Sequence, residues 1–175
     1  MAMLASFLAF ALLAQVPDLP VLGKLPSFRL VDQRSRAVTD RDLAGNVCVA
    51  DFIFTTCKNE CVVMTSRLAK VQRKVADVQG VRFVSFSVDP RHDTPVALRA
   101  FAKRHGADER NWAFLTAGSE APVQAVARGL GIHAGNRQHG QSYVLIDPQG
   151  RVRGYYSQDA RRLRDLEQDI RKLAR

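Results

Sequence analysis

The chain is poor in cysteine: three in 175 residues. That is too few for a disulfide framework, and the odd count leaves one outside any pairing. It also lacks an apolar run of membrane-spanning length. Residues Ala2 to Ala14 are apolar apart from Ser6, short of the ~20 residues a spanning helix requires. No internal repeat and no low-complexity tract is present. Acidic residues are scarce beside basic ones, 17 against 26, for a net charge of +9. Such a balance favours acidic partners. The bases are scattered, however, and densest at the C-terminus (Arg161, Arg162, Arg164, Arg171, Lys172, Arg175). Neither a nucleic-acid motif nor interleaved aromatics accompany them, so they read as a solvated face and nucleic acid is not an expected partner.

What is present suits one domain with a real core: 46% hydrophobic and 25% charged residues, the apolar ones spread along the chain. Residues 1–14 read as the apolar part of a signal peptide or a short membrane-targeting segment. No Lys or Arg precedes that run, and Leu12 suits a cut after Ala14 poorly; a buried helix or an uncleaved anchor are the competing readings. Pro17, Pro20 and Pro26 follow, which makes 15–24 a linker and 25–175 the domain.

Within the domain, Val47 to Phe54 is β-branched and aromatic, a strand buried on both faces. Val63, Leu68, Val71, Val75 and Val78 recur at helical spacing and predict a helix from about Asn59 to Asp77. Val81 to Val88 is a second strand. Thr94 caps a helix that Pro95 opens, Trp112 to Leu115 is a short strand, and Ser119 starts a helix that Gly131 ends. Tyr143 to Ile146 and Val152 to Tyr156 form a hairpin across Asp147-Pro-Gln-Gly150. A last helix follows Ser157. This order predicts an α/β protein: a mixed central sheet flanked by helices, with a late β-hairpin, the arrangement of thioredoxin-like folds.

The chemistry-bearing motif is Thr-Thr-Cys57-Lys-Asn-Glu-Cys61, where a core strand passes into a helix. Cys57 is expected at the helix start and Cys61 one turn on, on the same face. Two sulfurs so placed suit either a disulfide or a shared soft metal. The helix N-terminus and Lys58 favour a thiolate, while Glu60 opposes it. A third ligand would be a histidine. Of His92, His105, His133 and His139, the last stands in a polar loop just before a core strand. Two thiolates and an imidazole suit Cu(I) and can hold Cu(II), whereas zinc asks for a fourth ligand that the sequence does not offer. His105 reads as surface, with His92 and His133 as outside candidates. Cys48, between Val47 and Val49, reads as core.

Taken together, Asp51-Phe-Ile-Phe-Thr-Thr-Cys57, then Cys61, Ser87-Val-Asp-Pro-Arg-His-Asp-Thr-Pro95, Trp112 to Thr116, and His139 nine residues ahead of Pro148 resemble the Sco/SenC proteins. The resemblance spans roughly Leu25 to Tyr156. It implies a thioredoxin fold and one copper ion, Cu(I) or Cu(II), held by Cys57, Cys61 and His139. It also implies a role in building the binuclear copper centre of cytochrome c oxidase subunit II, as a copper donor, as a reductant of that subunit's cysteines, or both. The place of work would be the periplasm or the outer face of the bacterial inner membrane, with membrane association through the N-terminus. Two positions depart from the family pattern: Val62 stands where proline usually follows the second cysteine, and Gln138 where an acidic residue often precedes the histidine. A metallochaperone with thiol–disulfide reductase activity is therefore expected. A reductase with Cys57 and Cys61 as its redox pair and no metal is the alternative. A peroxide-reducing enzyme on this fold and a basic binding module fit less well.

Overall fold

The computed structural model describes residues 19–133 and 140–174. Among these described residues, eight strands form one sheet: β1 (Gly23–Lys24), β2 (Arg29–Asp32), β3 (Ala37–Thr39), β4 (Val47–Ile53), β5 (Val81–Ser87), β6 (Trp112–Thr116), β7 (Tyr143–Ile146) and β8 (Arg151–Tyr156). Four α-helices accompany them: α1 (Glu60–Lys74), α2 (Pro95–Arg104), α3 (Glu120–Gly129) and α4 (Ala160–Leu173). The sheet order is β1-β8-β7-β4-β5-β6-β2-β3. Strands β4, β5 and β6 run parallel, and every other pairing is antiparallel. The mixed sheet, the late hairpin and the strand–helix order are those the hydrophobic pattern predicts.

Side-chain alternation along β4 divides the core. Val47, Val49 and Ile53 face Met64, Leu68, Leu98, Phe101, Leu166 and Ile170 of α1, α2 and α4. Cys48, Ala50 and Phe52 face the other way, toward Val123, Val126 and Leu130 around α3, with Leu25, Phe28 and Leu30 from the chain ahead of β4. All seven residues of β4 are buried, as a central strand covered on both faces must be.

The local punctuation works as the residues dictate. The Thr94 side chain accepts from the Ala97 N–H at 3.2 Å, with Pro95 in the first helical position. Past α3, Gly131 adopts φ +67°. Its N–H bonds to the Arg128 carbonyl at 3.0 Å, and that of Ile132 to Ala127 at 2.8 Å. This is the left-handed closure that only glycine adopts without strain.

Two strand connections are built on buried aspartates. Asp32 accepts from the Arg34 and Arg36 N–H groups at 2.8 and 2.9 Å and pairs with the Arg36 guanidinium. Asp147 accepts from the Gln149 and Arg151 N–H groups at 3.0 and 2.9 Å and pairs with Arg151 and buried Arg153. Burial raises each carboxyl's pKa, but these bonds outweigh it and hold both below the ordinary value. Arg153 also donates to the carbonyls of Leu19 and Pro20, which lays the chain before β1 along the sheet edge.

Among the described residues, three strands and a 3-10 turn (Asp40–Asp42) precede β4, where the sequence pattern gives no element. Strands β2 and β3 form a short hairpin that sits on the far edge of the sheet beyond β6.

Candidate metal and redox centre

Helix α1 begins at Glu60, one residue from the expected Asn59, and Cys57 lies in the loop before the helix rather than at its start. The two sulfurs still meet one environment. Asn59 occupies the N-cap position but makes no capping bond with its side chain. Cys57 takes that role: its sulfur accepts from the Cys61 backbone N–H at 3.4 Å. A helix N-terminus has unsatisfied N–H groups and a partial positive charge, and here a sulfur answers them.

The pair is electrostatically split. Burial raises the Cys57 pKa, but N–H bonds from Cys61, Asn59 and Glu60 and the Cys61 side chain outweigh it, leaving the thiol below its ordinary value. Cys57 is half-buried. Cys61 is fully buried, and burial pushes its pKa strongly up, with further raising from the Cys57 and Asp51 charges. One sulfur is thus an accessible thiolate-former and the other a buried thiol. No disulfide joins the cysteines. Cys48 belongs to the core on the opposite sheet face, its pKa pushed up to about 12 by burial, in keeping with a core residue.

His139 lies outside the described residues. The chain just past it is described: Gln141 donates to Glu60 Oε1 at 2.7 Å, and the Tyr143 hydroxyl donates to the Met64 carbonyl at 2.9 Å. Both bonds tie the segment after the histidine to the first turns of α1. His92 sits in the β5–α2 connection, half-exposed, with Nδ1 2.9 Å from Asp89. His105 packs on the Phe101 ring at the end of α2, and burial, then Arg104, lowers its pKa. His133 is exposed. Among the described residues no group of three or more His, Cys, Asp or Glu is set to hold a metal, so none of these three histidines joins the cysteine pair.

Val62 stands in the first turn of α1, where an N–H needs no intrahelical acceptor. Proline and valine are both accommodated there, so this departure leaves the helix start intact.

Two features of the site escape the motif reading. Asp51 is fully buried on the α1 face of β4, between Val49 and Ile53. Among the described residues neither of its oxygens finds a hydrogen-bond partner. Burial raises its pKa to about 7, and Ser85 across the β4–β5 pairing pulls the other way. A carboxylate in a strand otherwise made of Val, Cys, Ala, Phe and Ile was the available signal. The second feature is Asp93, fully buried and bonded to Thr55 in the cysteine loop.

The SCO1/SenC family profile matches residues 23–175. The chain belongs to the SCO1/SenC family. It is 34% identical to the SCO1 protein homolog of Bacillus subtilis over 146 residues, 79% of this chain and 75% of that protein. Among solved structures, BsSco, described as a member of the Sco family of cytochrome c oxidase assembly proteins and as carrying a disulfide switch, superposes with a TM-score of 0.81 at 29% identity, covering 91% of this chain and 98% of that one. Bradyrhizobium japonicum ScoI, solved with copper bound, gives 0.68 at 23% identity, covering 86% and 99%, a likeness of fold. The thioredoxin-like architecture is therefore the Sco architecture.

Proposed function

We propose that this SCO1/SenC protein is a copper chaperone for assembly of the binuclear copper centre of cytochrome c oxidase, taking one copper ion through Cys57, Cys61 and His139. The observation that carries this reading is the sulfur pair at the α1 N-terminus, joined by the 3.4 Å Cys61 N–H contact. Two thiolates are soft donors, and an imidazole completes a three-ligand set suited to copper. The Gln141–Glu60 bond supports the same set, because it ties the chain two residues beyond His139 to the turn that holds Cys61. Copper is cargo in this reading. Subunit II of the oxidase is the proposed client, and the periplasm or the outer face of the inner membrane the proposed place, with residues 1–14 serving secretion or membrane association.

The experiment is titration of the reduced protein with Cu(I) against a chromophoric chelator. One equivalent should bind in the wild type, with most of the affinity lost in Cys57→Ala, Cys61→Ala and His139→Ala. Full affinity in His139→Ala would overturn the three-ligand set.

A second reading, a thiol–disulfide reductase acting on client cysteines, is favoured by the split between the two thiols. The Cys57 thiolate attacks a client disulfide and expels one client thiolate, which takes up a proton. Cys61 then loses its proton and attacks the Cys57 sulfur, releasing the second client thiol. Two electrons pass to the client and Cys57–Cys61 closes as a disulfide. Turnover of a disulfide-bonded peptide by His139→Ala at the wild-type rate would favour this role.

A further inference from the structure

Asp93 lies between Ser87 at the end of β5 and Pro95 at the start of α2, and its side chain is fully buried. Its carboxylate accepts from the Thr55 backbone N–H at 3.1 Å, from the Thr55 hydroxyl at 2.5 Å and from the Ser87 hydroxyl at 2.5 Å. Ser87 in turn accepts from the Asp89 N–H at 3.2 Å, and the Asp93 N–H donates to the Asp89 carbonyl at 2.9 Å. The group is thus fixed from its own side of the site. On the other side, Thr55 belongs to the turn closed by the Cys57 N–H on the Phe54 carbonyl at 3.2 Å. Buried Asp32 and Asp147 make a telling contrast. Their turn bonds reach residues two and four positions along the chain, whereas Asp93 reaches 38 positions back into the loop that carries the reactive thiol.

We propose that Asp93 is a positioning residue for Cys57: through Thr55 it locks the cysteine loop to the segment just ahead of α2 and so sets where the Cys57 sulfur stands relative to Cys61. Two hydroxyls and a backbone N–H converge on this one buried carboxyl, and a small misplacement of a reacting group is costly. Helix α2 is itself held by Leu98 and Phe101 in the core, so the anchor is rigid.

The inference rests on Cys57 and Cys61 being the working pair, and its test needs no copper, so it and the copper reading can fail separately. The measurement is the equilibrium of the Cys57–Cys61 disulfide against dithiothreitol in the whole protein, with melting temperature alongside. Closing the disulfide takes a hydrogen from each thiol, and the two protons and two electrons open the cyclic disulfide of oxidised dithiothreitol. Thr55→Val and Ser87→Ala each remove one hydroxyl from the same carboxylate. Thr55→Val should shift the equilibrium about tenfold and Ser87→Ala less than about twofold, at comparable losses of melting temperature. Asp93→Asn should stay near wild type, because an amide oxygen can still accept from Thr55 while its nitrogen donates to Ser87. Asp93→Ala should shift at least as far as Thr55→Val. Equal shifts in Thr55→Val and Ser87→Ala, or no shift in a folded Thr55→Val, would show Asp93 to be structural only. That pair decides the matter even if Asp93→Ala does not fold.

Discussion

The Cys61 backbone N–H points at the sulfur of Cys57 across 3.4 Å, so the first cysteine caps the helix that carries the second. The reactivity of the pair follows from that contact. It helps hold the accessible Cys57 thiol below its ordinary pKa, while burial holds the Cys61 thiol above it.

Iodoacetamide at neutral pH should therefore modify the native reduced protein once, at Cys57. Cys48 and Cys61 are buried and their thiols are pushed up in pKa. Mass spectrometry should find a single adduct, absent in Cys57→Ser and retained in Cys61→Ser. Rapid double labelling of folded protein would contradict the split.

Losing His139 should weaken Cu(I) binding by more than about 100-fold, since even residues that only orient a ligand are worth roughly 10- to 100-fold. Losing His92 should change it little, because among the described residues that side chain does not cluster with the cysteines. Chelator competition on both alanine variants checks the two together.

Asp51 makes stability depend on pH in a definite direction. Its folded pKa, about 7, lies above the ordinary value of 3.8, so between these the folded state binds more protons than the unfolded one. Its contribution to stability is then greatest at low pH and falls as pH rises from about 4 to about 7. Asp51→Asn should flatten this slope and be the more stable protein above pH 7. Urea unfolding at pH 5 and pH 8 on both proteins measures it; parallel pH dependences would sink the account.

Asp147→Ala removes the acceptor for two turn N–H groups together with the carboxylate facing buried Arg153. Breaking a buried pair from one side costs about 3–5 kcal/mol. The melting temperature should drop markedly while Cu(I) affinity, measured below it, stays unchanged, because the hairpin turn lies outside the cysteine loop.

Much of this was legible in the sequence where the cue is local. Thr94-Pro95 and Gly131 announce helix ends through backbone chemistry that tertiary contacts do not override. The central strands declare themselves by unbroken burial. Strands β2 and β3 do not, because an edge hairpin of three or four residues with exposed members carries too short a pattern. The place of Cys57 relative to the helix was harder to read. Cysteines four apart fit one helix face, yet Cys57 precedes the helix and reaches its N–H groups from outside. Asp51 and Asp93 were visible as letters of a motif; their burial and their partners arise only when β4, β5 and α2 are packed together. His139, the proposed third ligand, lies outside the described residues.

Cys48 and the Cys57–Cys61 pair lie on opposite faces of the sheet. Three cysteines allow three pairings on paper, but a packed strand layer separates Cys48 from the other two. Within one folded chain, Cys57 with Cys61 is the pairing the fold leaves open to an oxidant, and Cys48 is kept out of any exchange.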